Sequence, residues 1–437
     1  MAFPPDFCFP DQTAGVYKSD DDGATWTAVN SGLVVSGSIK ILLSVSKADG
    51  AVYAMVVNTS GGLGGIFKGV LTINPDKTQS FTWKQMDTPS PDIFPGKQGT
   101  NQGAIVAHPT LANVVFVSGD RQDNPTGFPN DNGCTNFTGN IFRGDASAEA
   151  GSQWTNAVCN GANGSSPHAD SRAFAFSVDG TGAAILLHGC DGGLFELADP
   201  DTAPDGSGGG RTWLSFNGDI RPTEIHSIAF DPLSHILISG NQDTGTSYQV
   251  SVNSQTWTDI ALGDGAVVAV DADQTAHEGT SLRYESFIQM QSFRRHTFNS
   301  SNVEDTSKRA SVGLNIVSGT GSGSTLLQAD NTRQFYNPWV LNNINPARML
   351  IGTSSLYESS NMGDSLNNLG SLGAAVSSLS YGSRLLNAST GALDPFPDAF
   401  YVAAGTTIFH RVSSGNAPTM INSPGSAIVA LVMNPMD

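Results

Sequence analysis

Ser19-Asp20-Asp21-Asp22-Gly23-Ala24-Thr25-Trp26 reads S-x-D-x-G-x-T-W, a hairpin turn written in full. Gly23 supplies the positive φ that the turn needs. Asp21 can accept backbone N–H bonds inside the turn, and Trp26 opens the next strand as a large apolar anchor. The motif speaks for fold and not for chemistry. Asp21, Gly23 and Trp26 are therefore expected to be structural.

Weaker copies of the segment follow downstream. Trp26, Trp83, Trp154, Trp213 and Trp257 share one context, a short polar turn entering a strand. Ser359-Ser360-Asn361-Met362-Gly363-Asp364-Ser365-Leu366 keeps the turn residues and replaces Trp by Leu. A second repeat precedes each copy. It is a short apolar strand ending in a turn, as in Ala104–Pro109, Ser227–Pro232 and Ala430–Pro435. Another apolar strand and an aromatic strand come next, and the Trp strand closes the unit. Four short strands per unit of roughly 40–50 residues predict an all-β propeller of four-stranded blades. Unit starts fall near residues 38, 103, 172, 226, 266, 338, 374 and 427, which counts eight blades. The irregular stretch from 266 to 336 keeps seven open. The last unit is only a first strand, Ile428 to Pro435, and the chain begins with the strands that unit lacks. The two termini are expected to share one blade and so remove the open sheet edges. Residues 1–437 then form a single domain.

Composition narrows the function. The chain has 21 basic and 39 acidic residues, a net charge of −18. Nucleic acid, which needs a basic stripe, is excluded as a partner. No run of apolar residues is long enough for a membrane helix. Met1-Ala2-Phe3-Pro4-Pro5 carries no signal-peptide pattern, and the chain starts partway through a blade. It reads as a domain excised from a longer secreted or cell-surface protein with other domains. Cys134 and Cys159 flank a polar loop and predict a disulfide, while Cys190 follows an apolar strand and predicts a buried thiol.

The first strand of a blade lines the channel of a propeller, so the residues just before it lie at the mouth. Aligning Ala173–Phe176, Ser227–Phe230 and Val267–Val270 places Asp170, Glu224 and Asp264 at one position. Other units carry Asn101, Ile39 and Ala427 there, so the acid is no requirement of the repeat. These three carboxylates are the catalytic candidates. Around them, His168, Arg172, Arg221, His226, Gln242 and Asp243 are the candidate ligand contacts. His168, Asp170 and Arg172 alternate, which on an extended strand gives them one face. Clustered carboxylates repel, so at least one should have a raised pKa unless a cation or an arginine compensates. Oxygen-rich surroundings would suit Ca²⁺.

The turn segment resembles the Asp-box of sialidase-like propellers. His168-Ala169-Asp170, Asp191-Gly192-Gly193, Gly240–Gly245 and Gly263-Asp264-Gly265 resemble secreted BNR-repeat proteins. These are similar to glycosyl hydrolases, distantly to xyloglucan-hydrolysing propellers and to sortilin-type ectodomains. The resemblance implies an extracellular propeller and carries no reaction: the sialidase arginine triad and the xyloglucanase aspartates do not map onto this chain. It points to a carbohydrate-recognition module whose partner is a polysaccharide or other glycan, with Tyr284, Phe335, Tyr336 and Trp339 as stacking aromatics. Two alternatives stand beside it. One is a glycoside hydrolase or a polysaccharide lyase using the same mouth, and the other is a structural or protein-interaction propeller.

Overall fold

A computed structural model describes residues 2–3, 15–76, 79–220, 222–387, 389–413 and 417–433. The described residues are almost wholly β, organised as eight discrete antiparallel sheets, consistent with the four-stranded blades of a β-propeller. Two compact units share them, divided after Pro222.

The first unit holds four sheets. The first has three strands, Ala2–Phe3, Gly15–Lys18 and Thr27–Ala28. The others are four-stranded meanders: Ser38–Gln85, Ala104–Asn156 and Ser171–Ser215. The second unit holds the meanders Glu224–Ala261, Gly265–Ser311, Trp339–Ser371 and Val376–Ile421. The irregular stretch contributes Asn315–Ser318, a fifth strand running parallel to Ser365–Ser371. It adds to a neighbouring sheet and does not remove one. Among the described residues, no helix is long and apolar enough to cross a membrane.

The core lies between sheets. Tyr53, Met55 and Ile66 of the second sheet pack with Val115, Val117 and Phe142 of the third. Tyr284 of the sixth packs with Trp339, Met349 and Leu366 of the seventh. Neither face of such a sheet is buried without a neighbour, which is why the sequence repeats. Successive first strands are also tied by one recurring bond. Ser44 Oγ accepts the Ala107 N–H (2.8 Å), and Ser227 Oγ accepts the Val268 N–H (3.1 Å).

That bond identifies the C-terminal segment. Residues 427–433 form no ladder, which corrects the described part of the strand expected over Ile428–Pro435. Their N–H groups turn instead to the first strand of the last sheet, Leu431 to Ser378 Oγ (2.8 Å) and Met433 to Ser380 Oγ (3.1 Å). The segment thus occupies, against the last sheet, the place of a following first strand. Residues 4–14 and 434–437, on which the shared blade depends, lie outside the described residues.

The turn at residues 19–26 forms as its residues require. Asp21 Oδ1 accepts the Thr25 N–H (2.8 Å), and Ser19 Oγ accepts the Gly23 N–H (2.8 Å). Gly23 has φ +94°. The copy at 359–366 repeats these bonds: Asn361 Oδ1 accepts Ser365 N–H (2.9 Å) and Ser359 Oγ accepts Gly363 N–H (2.9 Å). One expectation fails. Trp26 is 44% exposed, because its indole turns back to donate to Gly23 O of its own hairpin (3.1 Å). The anchoring role belongs to later copies. Trp83 Nε1 donates to Val29 O (2.6 Å), Trp154 Nε1 to Asp87 O (2.6 Å) and Trp213 Nε1 to Ala157 O (2.8 Å). Each accepting carbonyl lies just beyond the closing strand of the preceding sheet. The repeated tryptophan is therefore a staple between sheets, using both its apolar body and its one polar handle.

Cys134 and Cys159 form a disulfide, with Cα atoms 5.3 Å apart. Cys190 is a buried free thiol, and burial pushes its pKa up to about 12. Free-thiol titration of the denatured, non-reduced chain should therefore find two thiols among its four cysteines. Four would mean that the bridge is absent in solution.

Candidate functional site

Each candidate carboxylate sits where a first strand begins, and the strands share one irregularity there. In the fourth sheet Ser171 pairs with Cys190 and Ala173 with Gly189, leaving Arg172 as an extra residue. In the fifth Ile225 pairs with Asn241 and Ser227 with Gly240, leaving His226 extra. The sixth sheet has a register shift between Gly265 and Val268. These are β-bulges, which re-aim side chains at strand ends. Asp170, Glu224 and Asp264 each immediately precede the residue paired just before the bulge. The sequence alignment thus put them at one structural position in three sheets. Asp170 belongs to the first unit; Glu224 and Asp264 belong to the second.

In the first unit, Asp170 is turned inward. Its φ of +64° breaks the extended chain. His168, Asp170 and Arg172 therefore do not share the strand face that their alternation predicts: Asp170 is buried and Arg172 exposed. Arg172 grips Asp191 with two of its three guanidinium nitrogens, Nε to Oδ1 (2.6 Å) and an Nη to Oδ2 (2.7 Å). The third reaches Asn101 O (3.3 Å). The turn at Asp191 packs over His168. A Cβ at Gly192 would lie 2.4 Å from His168 Cβ, so only glycine fits there. Asp170 Oδ1 has no hydrogen-bond partner among the described residues. The Asp170 carboxyl is pushed up to about 6, chiefly by burial, then by the charges of Asp191 and Asp120. One carboxylate oxygen each of Asp170 and Asp191 lies within 4.8 Å of the other.

This raised pKa has a stability consequence. The unfolded Asp170 ionises near 4 and the folded one near 6. Folding is therefore penalised progressively as pH rises between these values, by about 3 kcal/mol at the plateau. Asn tolerates positive φ and carries no charge. Asp170→Asn should raise the melting temperature at pH 7–8 and flatten its fall between pH 4 and 6. An unchanged pH profile of stability would show that Asp170 titrates normally.

In the second unit, polar groups converge on Gln242, at the end of the strand Ile236–Gln242. Its Oε1 accepts from Tyr336 Oη (3.0 Å) and from His226 Nε2 (3.1 Å). His226 Nε2 also faces Glu224 Oε1 at 3.2 Å. The rings of His226 and Tyr336 lie 3.8 Å apart and tilted by 30°. Asp264 Oδ1 accepts the Asp243 N–H (3.2 Å). Burial raises the Tyr336 pKa, and the charges of Asp264, Asp243 and Glu224 raise it further. Glu224, His226, Gln242, Asp243 and Asp264 are thus brought together, with Tyr336 added. Arg221 lies outside the described residues.

Sequence reading offered Tyr336 only as a stacking aromatic. Nothing local marks it: it stands 94 residues from Gln242, in the irregular stretch. Tyr284 and Trp339, offered with it, are core residues at 0% and 2% exposure and cannot meet a sugar. The basic run Arg294-Arg295-His296 is spent internally. Arg294 pairs with Glu285 (3.1 Å), Arg295 donates to Met362 O (3.0 Å) and buried His296 bonds Glu304 (2.7 Å). Sequence reading also missed the buried chain His188–Ser171–Ser118. Ser118 donates to Asn140 O, so Ser171 donates to Ser118 and His188 Nε2–H to Ser171 (2.9 Å).

No family model matches this chain, and no curated protein matches it. Among solved structures it is similar to a GH74 enzyme of Niastella koreensis, at a TM-score of 0.33 and 16% identity. That match covers 94% of this chain and 58% of the enzyme, so the chain spans less than two thirds of that protein. It is also similar to a chain of the mitotic checkpoint complex, at a TM-score of 0.29 and 9% identity, covering 73% and 79% of the two chains. A third match is Raptor of Chaetomium thermophilum, at 0.28 and 11%, covering 76% and 26%. Likenesses this weak carry no argument about function.

Proposed function

We propose that this chain is a carbohydrate-recognition propeller of the Asp-box type, part of a secreted or cell-surface protein. The glycan meets Glu224, His226, Gln242, Asp243, Asp264 and Tyr336. The observation that carries this reading is the array at a bulged strand entry in which His226 and Tyr336 both bond Gln242 while Glu224 faces the same His226 nitrogen. Sugar hydroxyls both donate and accept, so a site for them needs carboxylate and amide acceptors beside N–H and O–H donors. Convergent polar groups of this kind fix the orientation of a ligand. The disulfide supports an oxidising compartment.

The test is a glycan array followed by titration of any hit. Glu224→Gln and Asp264→Asn should each weaken binding by about tenfold, the cost of losing a charged acceptor. Their melting temperatures should stay near the parent's. A parent that binds no glycan, or variants that bind as the parent does, would remove this reading.

Asp170 favours a second reading, a glycoside hydrolase. A carboxyl with a pKa of about 6 is protonated often enough near neutrality to act as a general acid. Asp191, gripped by Arg172, would be the second acid of the pair. Product analysis on the array hits decides: turnover lost in Asp170→Asn supports catalysis, and an intact glycan supports recognition alone. Ca²⁺ is the competing use of the same two acids. It would return Asp170 to the ionised form, so added Ca²⁺ would raise the melting temperature of the parent and not of Asp170→Asn.

A further inference from the structure

We propose that Phe137 and Arg121 form a stacking subsite for a neutral pyranose ring, on the loop 119–140 of the third sheet. The inference rests on the glycan-binding reading but uses different residues.

Phe137 is 52% exposed in a loop rich in polar residues. Phe128 packs edge-on against it, with centroids 5.0 Å apart and rings at 80°. The Arg121 guanidinium lies 4.7 Å from the Phe137 centroid. Among the described residues that guanidinium makes one hydrogen bond, to Gln122 O at 3.4 Å, and no ion pair. Most of its five donors are therefore left for a ligand beside the ring.

The platform is held before anything binds. Cys134–Cys159 ties the loop to the segment just beyond the strand Trp154–Asn156. Gln122 is fully buried, accepting from Asn130 (2.9 Å) and Asn132 (3.0 Å) and donating to Gly139 O (2.6 Å). A ring fixed in this way loses little freedom on association, which preserves affinity. A pyranose with equatorial hydroxyls offers an apolar face of axial C–H bonds to the ring. Its rim hydroxyls would take the arginine N–H groups.

Charge selects the class of sugar. Asp120, Asp123 and Asp131 lie on the same loop against the single Arg121, in a chain of net charge −18, and together would repel a carboxylated sugar. Arg121 would repel a protonated amino sugar. A neutral ring satisfies both signs, and a β-linked glucan presents equatorial hydroxyls on every residue.

The experiment titrates the full chain calorimetrically with cellohexaose, a galacturonic acid hexamer and a glucosamine hexamer. Cellohexaose should bind best, with little dependence on salt. Phe137→Ala should weaken it by about tenfold, as for an exposed aromatic anchor, and Phe137→Tyr should restore it. Arg121→Lys should weaken it several-fold, because a lysine lacks the planar fork. Failure of all three sugars to bind, a charged hexamer binding as well as cellohexaose, or Phe137→Ala binding like the parent would each overturn the proposal. The two sites fail separately. Cellohexaose binding lost in Glu224→Gln but kept in Phe137→Ala removes the loop subsite and leaves the strand-entry reading. The reverse pattern removes the strand-entry reading and leaves the loop.

Discussion

Asp231→Ala should destabilise the second unit by about 3–5 kcal/mol, the cost of leaving a buried charge without its partner. Arg283 and Asp231 are both completely buried, 2.8 Å apart. Arg283 donates to Asp231 Oδ2 through Nε (3.0 Å) and an Nη (2.8 Å), and to Asn302 (2.8 Å) and Ser234 (2.8 Å). Its guanidinium also lies over Phe298, 3.8 Å from the ring centroid. Ser281 Oγ adds a bond to the same aspartate oxygen (2.6 Å). Removing the carboxylate strands a guanidinium that no water can reach. The double variant Asp231→Leu/Arg283→Met should recover much of the loss, since no charge is left behind. Calorimetric melting of the three proteins checks both statements. A loss of less than about 1 kcal/mol in Asp231→Ala would mean that water reaches Arg283. The pair also has a pH signature. Burial opposes the Asp231 carboxylate, but the bonds from Ser281 and Arg283 outweigh it and hold its pKa below the usual value. A depressed carboxylate stabilises the fold above the unfolded pKa, and that contribution is lost as pH falls below about 4.

Trp213→Ala should cost the first unit about 3–5 kcal/mol, the usual range for truncating a buried tryptophan. Trp213 is 5% exposed. It bonds Ala157 O across to the preceding sheet, meets His188 edge-on at 5.7 Å and packs in the core with Leu186 and Leu197. Trp213→Phe separates the two contributions. It keeps most of the packing and leaves one buried carbonyl short of a donor, which costs about 1–3 kcal/mol. Trp26→Ala, the same substitution in the best-formed copy of the motif, should cost about 1 kcal/mol or less, since that indole is 44% exposed. Denaturant midpoints by far-ultraviolet circular dichroism give the comparison. Equal losses at Trp26 and Trp213 would contradict the staple between sheets.

The fold was legible because it repeats. Ser19–Trp26 and Ser359–Leu366 are self-contained turns, and each bond in them joins residues no more than four apart. Seven of the eight unit starts read from the chain lie within a few residues of first strands at Ser38, Ala104, Ser171, Glu224, Gly265, Trp339 and Val376. The equivalence of Asp170, Glu224 and Asp264 was legible for the same reason: a bulge recurs at each of these strand entries. Alternation misled at His168, Asp170 and Arg172, because a bulge and one positive φ break the two-residue period.

By itself, the sequence determined whatever depends on neighbours along the chain: the turns, the strand pattern, the Cys134–Cys159 bridge and the position shared by the three carboxylates. Tertiary structure alone decided which side chains are enclosed and what they meet. It buried Trp213 and left Trp26 in solvent, though both follow a threonine in similar turns. It sank Tyr284 and Trp339 into the core and set Tyr336 against His226. It made Asp170 a weak acid while handing Arg172 to Asp191. Burial and long-range pairing are properties of packing between sheets, and residue type does not encode which neighbour the packing will bring.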